Sequence, residues 1–311
     1  MITFGPMPSR RLGMSLGINN IPQQKVCTYS CIYCQVGAKQ RYSIARESFY
    51  DPWLIHNEVA NLLEKLDDKS KPDYLTFVAN GEPTLDAKLG NTIRLLKSFN
   101  IPIAVITNAS LLNDESVAND LMEADWVSVK IDTTEELIWK KLNKPHADLK
   151  LDRILQGIVS FAEKYKGLLV TETMLVSNVN DLPENHVRTA DFIFKVNPSR
   201  VYISIPTRPP SVKTVKPASS EAINHAYQIF INKGLNAELI LGFEGTNTGF
   251  TGNAADDILN ISAVHPLRAD TLNELLQKDN ATFEVVKQLI NEQKIEELTF
   301  QSKKFYLRKH Q

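Results

Sequence analysis

The chain has 311 residues, 43% of them hydrophobic and 23% charged, with 35 lysines and arginines against 36 aspartates and glutamates. That make-up is enough for a sizeable core and belongs to a soluble globular protein of one large domain, or a large domain and a small one. The near-zero net charge supplies no long-range field that recruits nucleic acid. No run of about eighteen apolar residues suggests a membrane span, and "MITFGPMPSRRLG" lacks a signal peptide's apolar stretch, so the cytoplasm is the expected compartment.

Taken in chain order, "SLGIN" is the first expected strand. After the Pro22-Gln23-Gln24 turn comes "KVCTYSCIYCQVG", residues 25–37, which holds Cys27, Cys31 and Cys34, all the cysteines of the chain. An odd, clustered set of thiols is not a disulfide framework, which spreads an even number along a secreted chain. Four readings of the bare triplet stand: structural cysteines, a zinc site whose fourth ligand is missing nearby, a Cys31/Cys34 redox pair, and an iron–sulfur cluster held by three thiolates. In the last case one iron of a [4Fe–4S] cubane has no protein ligand and is open to a substrate or cofactor.

From residue 53 onward helix and strand patterns alternate. "PWLIHNEVANLLEKL" reads as an amphipathic helix and "DYLTFVA" (73–79) as a strand. "AKLGNTIRLLKSF" follows as helix, "PIAVIT" (102–107) as strand, "NDESVANDLMEA" as a helix capped by Asn113, and "DWVSVKID" (125–132) as strand. A helical region at 134–165, a strand at 168–176, a helix near 183–195, a strand at 200–205 and a helix at 219–233 complete the series. Six strands in βα order predict a parallel sheet with right-handed crossovers, curled into a partial or full barrel with its site at the strands' C-terminal ends. Alternation puts Val127, Val129 and Ile131 on one face and Trp126, Ser128 and Lys130 on the other; in "RVYISI" it separates Val201, Ile203 and Ile205 from Tyr202 and Ser204. The apolar face suits the outer helix layer, so the polar face is expected to line a hydrated lumen.

Residues 241–264 concentrate glycine, asparagine and threonine, as linkers do. Residues 265–311 read as two short helices and a hairpin, the latter part of a winged helix. Such modules bind nucleic acid or contact protein, and Lys303, Lys304, Arg308 and Lys309 beside Glu296 and Glu297 leave both uses open.

The spacing C-x3-C-x2-C with aromatic Tyr33 before the last cysteine resembles the radical S-adenosylmethionine (SAM) superfamily. "FGPMPSRRLGMSLGINNIP" and "PTRPP" resemble its branch grouped with the wyosine (imidazoguanosine) synthases of tRNA modification. The resemblance covers roughly residues 3–240 and implies an α/β fold, a partial (β/α)6 TIM-like barrel placed at 1–240; the linker at 241–264 and the small winged-helix-like α+β domain at 265–311 rest on the residue pattern read above. The resemblance implies one [4Fe–4S] cluster on Cys27, Cys31 and Cys34, with SAM on the open iron. Reductive cleavage to a 5′-deoxyadenosyl radical and hydrogen abstraction from a substrate would follow, fed by an external electron donor of the flavodoxin or ferredoxin type. Gly81-Glu82-Pro83 resembles the Gly-Gly-Glu segment that receives the SAM amino group, with Asn80 in place of the first glycine. Thr107-Asn108 resembles Thr-Asn-Gly near the SAM ribose or methionyl end, with Ala109 departing from the pattern. Tyr33 and Asn180 join the expected SAM contacts. Lys130 and Asp132 are the expected catalytic or carboxylate-binding pair, with Glu172 an alternative partner for the lysine. Arg10, Arg11 and Arg208 are candidate anion contacts. Wyosine synthases use further cysteines for a second cluster, and none is left here, so their reaction is not carried over. The substrate stays open, with RNA one candidate, and the competing class is a non-catalytic iron–sulfur redox sensor that binds nucleic acid through its C-terminal domain.

Overall fold

A computed structural model describes residues 2–22, 24–37, 41–66, 70–242, 248 and 250–309. Strands β1 (Thr3–Ser9) and β2 (Gly13–Ile18) form an antiparallel hairpin, and the short β3 (Val26–Cys27) and β4 (Arg41–Tyr42) pair beside it. There follow α1 (Pro52–Lys65), β5 (Tyr74–Phe77), α2 (Leu89–Leu96), β6 (Ile103–Thr107), α3 (Glu115–Leu121), β7 (Trp126–Lys130), α4 (Glu136–Asn143) and α5 (Leu151–Lys164). Then come β8 (Leu168–Met174), α6 (Pro183–Val196), β9 (Arg200–Ser204), α7 (Ser220–Asn232) and β10 (Ala237–Ile240). The sheet runs β1-β2-β5-β6-β7-β8-β9-β10, parallel from β2 onward.

The six expected parallel strands are all present, and the sheet goes beyond them at both edges. β10 was not expected because only two of its four residues are buried, which leaves a weak alternation. Asp114, not Asn113, caps α3, its carboxylate accepting from the Ser116 N–H at 2.8 Å. The helical stretch at 134–165 breaks in two at Lys144, whose left-handed φ of 42° precedes Pro145, a residue that disfavours helix before it. That break turns residues 142–146 toward the cysteine loop.

Val127, Val129, Ile131, Val201 and Ile203 pack outward with Ile154, Ile158, Phe161 and Ile193 of the helix layer. The opposite face is apolar at its base, where Leu12, Ala104, Trp126, Val170, Tyr202 and Ile240 form a plug of their own. The lumen is therefore polar only toward its mouth, and Trp126 and Tyr202, grouped above with the polar face, fill its floor.

Within the stretch expected as a linker, 243–247 and 249 lie outside the described residues, but 254–264 is a helix, α8 (Ala254–Val264). It precedes β11 (Leu267–Arg268), α9 (Ala269–Lys278), α10 (Glu284–Asn291), β12 (Ile295–Phe300) and β13 (Lys303–Arg308). The last three strands form an antiparallel sheet in the order β11-β13-β12. The helix covers this unit's core through Ile258 and Ile261, joined by Phe4 and Met7 from β1. β1 thus belongs to the barrel sheet by its hydrogen bonds and to the C-terminal core by its side chains.

His186 on α6 is 1% exposed, and neither ring nitrogen has a hydrogen-bond partner among the described residues. Burial, then His225 with its ring 6.0 Å away, lowers its pKa to about 4 against the opposing pull of Asp181 and Glu184. Above pH 6.5 folded and unfolded chains both hold neutral imidazole. As pH falls toward 4 only the unfolded chain takes up the proton, so stability falls across that window. Urea unfolding at pH 7.0 and 4.5 should therefore show a loss that shrinks by about 2–3 kcal/mol in His186→Leu. Identical pH dependence in both proteins would mean that His186 is not buried as a neutral group.

Candidate functional site

Cys27 ends β3, and the loop that follows it carries Cys31 and Cys34 past the C-terminal ends of the parallel strands. It is anchored from two sides. On one, Ser30 N–H donates to the carbonyls of Asn143 and Lys144, Ile32 N–H to Leu142 O at 2.9 Å, and His146 N–H to Thr28 O at 2.8 Å. Trp139 Nε1 adds a 3.1 Å bond to the Tyr29 hydroxyl. On the other, the Ser211 hydroxyl donates to Cys31 O and Val212 N–H to Ile32 O. "PTRPPS" thereby has a local role as the loop's second wall. Arg208 in it donates to Gln35 Oε1 at 3.0 Å, one residue beyond Cys34, and its other terminal nitrogen lies 2.8 Å from His265 Nε2.

Gly81 meets β3 edge to edge. Val26 N–H donates to Asn80 O and Glu82 N–H to Val26 O. At Gly81 φ is 142°, and a Cβ there would stand 1.7 Å from Val26 O, so only glycine permits this approach. Asn80 fits because its own N–H donates to Asn19 Oδ1 at 2.7 Å. Glu82 is 1% exposed and caps the short 3₁₀ turn Pro83–Leu85. Its carboxylate accepts from Thr84 N–H, the Thr84 hydroxyl, the Thr107 hydroxyl at 2.6 Å and Asn108 N–H at 2.8 Å. Burial raises the pKa of this carboxyl, and those four hydrogen bonds act to lower it. The loops after β5 and β6, expected separately, are thus one unit knotted at Glu82. Ala109 sits at φ 63°, the left-handed region where glycine is at ease, so the departure from Thr-Asn-Gly carries backbone strain of about 1 kcal/mol.

Deeper in the mouth, Asp132 accepts from the Tyr33 hydroxyl, from Asn143 Nδ2 at 2.8 Å and from Met174 N–H at 2.8 Å. Lys130 pairs with Glu172 at 3.0 Å, the alternative partner expected above, and its ammonium lies 5.2 Å over the Tyr33 ring. Arg11 reaches the other Glu172 oxygen and Ser204 donates to the first at 2.9 Å. Burial would raise the Glu172 pKa, but Lys130 and Arg11 overcome it and hold the carboxyl down at about 2. Arg11 is therefore engaged inside the barrel and is not an open anion contact. Asn180 is fully buried. Its oxygen accepts from Val176 N–H and its nitrogen donates to the carbonyls of Asp132 and Met174, so that Asn180 braces the loop after β8.

Each cysteine has a nitrogen donor that spacing alone did not reveal. Asn108 Nδ2 lies 3.7 Å from Cys27 Sγ, Asn143 Nδ2 3.4 Å from Cys31 Sγ, and Lys25 Nζ 3.3 Å from Cys34 Sγ. Only Lys25 had a readable signal, two residues ahead of Cys27; Asn143 comes from a distant helix end. Burial, above all, pushes the Cys27 thiol up despite the opposing pull of Lys25, and pushes Cys31 up to about 11. Such thiols ionise when a cationic centre takes the proton's place. Among the described residues no three His, Cys, Asp or Glu side chains converge on a single-ion site. A cubane asks for a different arrangement, one thiolate per iron, and the buried thiols with their N–H donors suit it.

The profile of the Radical SAM superfamily matches residues 21–193. This chain belongs to the radical SAM superfamily, which implies a [4Fe–4S] cluster and SAM. Within it, the UPF0026 protein MJ1312 of Methanocaldococcus jannaschii is 46% identical over 99% of this chain and 96% of its own length. A UPF0026 protein of Helicobacter pylori strain J99 is 32% identical over 98% of this chain and 97% of its own. Among solved structures, a radical SAM methyltransferase from Sphaerobacter thermophilus aligns with a TM-score of 0.55 at 14% identity, over 73% of this chain and 66% of that one. TYW1 with a lysine-pyruvate adduct bound aligns with a TM-score of 0.50 at 11% identity, over 96% of this chain and 81% of that one. These likenesses establish the barrel fold. Among the described residues no helix is long and apolar enough to cross a membrane.

Proposed function

We propose that Cys27, Cys31 and Cys34 hold one [4Fe–4S] cluster whose open iron takes SAM, and that the protein is a radical enzyme acting on a substrate at the barrel mouth. The observation that carries this reading is the doubly anchored cysteine loop, set against the Glu82 knot at the strands' C-terminal ends. When bound, the cluster and SAM supply one-electron reductive cleavage and, through it, hydrogen abstraction. The chain's own part is to fix the loop through residues 142–146 and Ser211. It also aligns the segments Gly81-Glu82-Pro83 and Thr107-Asn108 beside the thiols, and closes the barrel floor with the Trp126 and Tyr202 plug. Lys130 and Asp132 line the mouth with Tyr33; with the lysine neutralised by Glu172, their role is to shape the polar wall rather than to bind a carboxylate. An electron donor of the flavodoxin or ferredoxin type completes the reaction.

The C-terminal unit supports a winged-helix reading in its order α8-β11-α9-α10-β12-β13, and we assign it the delivery of an RNA or DNA substrate. Its basic tip is reduced: Lys304 pairs with Glu297 at 2.8 Å, and Arg308 donates to Leu259 O at 3.3 Å. The supporting observation is a cavity of about 160 Å³ between this unit and the Arg208 loop, whose described lining includes Arg208, His265, Arg268 and Lys303, with Arg268 also paired to Asp270 beside it. Phosphate suits such a lining.

The anaerobically reconstituted, reduced protein should form 5′-deoxyadenosine from SAM, detected by chromatography. Its absence from a fully loaded protein would leave the redox-sensor reading. RNA retention on filters should fall steeply with salt, and Lys303→Glu should weaken it by about tenfold. Full-length protein that retains neither RNA nor DNA at low salt would make the C-terminal unit a protein-contact domain. Deleting the unit is a poor test, because Phe4 and Met7 of the barrel hairpin would lose their packing partners.

A further inference from the structure

We propose that Lys25 is the cluster's built-in counter-ion, a fixed positive charge that raises its reduction potential and so eases the electron transfer that initiates the reaction. The proposal rests on the cluster reading given above and on an unusual placement. Lys25 is 4% exposed, yet among the described residues no carboxylate pairs with it. Its ammonium donates to Gly37 O at 2.7 Å and to Cys34 Sγ at 3.3 Å, both within the cysteine loop. A buried charge without an opposite charge costs several kcal/mol. Among the described residues the one ionisable group to which it donates is Cys34, so its charge is balanced when that sulfur carries negative charge, as it does when bound to iron.

The other two donors are of a different kind. Asn108 and Asn143 are neutral amides, each shared with a second acceptor, Thr28 Oγ1 at 2.8 Å and Asp132 Oδ2 at 2.8 Å. They orient sulfur lone pairs without adding charge. Lys25 alone changes the electrostatic balance between the oxidised cluster and the reduced one, which carries one more electron and one more negative charge. A buried cation held within hydrogen-bond reach of a ligand sulfur favours the more negative state. The bond to Gly37 O holds the ammonium in place beyond Cys34, and Lys25 O accepts from Arg41 N–H at 2.8 Å, so the lysine is tied at both ends.

The test is a redox titration of the reconstituted full-length protein, followed by the EPR signal of the reduced cluster, with iron content measured on the same samples. In Lys25→Met the ratio of reduced to oxidised cluster at a fixed solution potential should drop at least about tenfold, a shift of about 59 mV for one electron. Lys25→Arg, which keeps the charge, should stay within about threefold of the parent. A Lys25→Met protein with full iron content and an unchanged potential would overturn the proposal. So would an unchanged potential with weakened SAM binding, which would make the lysine a SAM contact. If Lys25→Met takes up no iron, uptake is compared in Lys25→Gln and Lys25→Arg, each checked for folding by circular dichroism. Loading in the arginine variant alone supports the counter-ion role, and equal failure of both shows that shape, not charge, is required. Parent protein that takes up no iron would instead sink the cluster reading itself.

Discussion

Cys31→Ala, expressed and reconstituted without oxygen, should retain less than roughly a tenth of the iron that the parent protein holds, because three thiolates are the minimum set here for a cubane with one open iron. The expected loss is one of chemistry rather than of folding. The loop's path is fixed by backbone bonds at Thr28, Ser30 and Ile32 and by the Ser211 bond to the Cys31 carbonyl, none of which needs the sulfur. Thermal unfolding of the metal-free variant should therefore match that of the metal-free parent to within about 1 kcal/mol. Cys27→Ala and Cys34→Ala should behave alike in iron content. Full iron retained in any of the three would mean that the loop does not hold the cluster. Iron lost together with the fold would mean that the sulfur, not the anchoring bonds, organises the loop.

The second large effect is expected at Glu82. Replacing it with alanine removes the acceptor for two backbone N–H groups and two hydroxyls in a site that water does not reach. Leaving such donors unpaired costs about 1–3 kcal/mol each, partly relieved by local relaxation, so Glu82→Ala should lower stability by about 3 kcal/mol in urea unfolding. Glu82→Gln keeps one acceptor oxygen but turns an N–H against a donor, so it should fall between the two. The iron content should stay near that of the parent, since Glu82 accepts from none of the cysteines. SAM binding, read from the change it causes in the reduced cluster's EPR spectrum, should weaken at least about tenfold, because Thr107 and Asn108 lose the carboxylate that aligns them. Unchanged stability would remove the knot as a structural feature. Lost stability with unchanged SAM affinity would make the segment an ordinary turn, away from SAM.

Both predictions show the limit of reading site residues as contacts. Gly81, Glu82, Thr107 and Asn108 stood out in the sequence as resembling cofactor-binding segments; in the structure Thr107 and Asn108 bond to Glu82, and Gly81 lies against Val26. The Glu82 carboxylate holds the two loops together. Lys130 and Asp132 behave likewise, Lys130 engaged by Glu172 and Asp132 by Tyr33, Asn143 and the Met174 N–H.

The order of βα units and the cysteine loop were legible from sequence because they depend on local terms. Alternation of apolar residues decides strands, caps and prolines decide helix ends, and a triplet of thiols within eight positions announces itself. The tertiary structure decided what depends on residues distant in sequence. Only packing shows that β1 lends Phe4 and Met7 to the C-terminal core, that the floor of the lumen is an apolar plug, and that α8 stands where composition suggested a linker. Only the fold brings Asn108 and Asn143 to Cys27 and Cys31, 81 and 112 positions away along the chain. Lys25 shows the division within one residue. The sequence placed it beside the cysteines, but its burial with no carboxylate partner among the described residues comes from loops that close around it only in three dimensions. Burial is a sum over the whole chain, and no local pattern contains it.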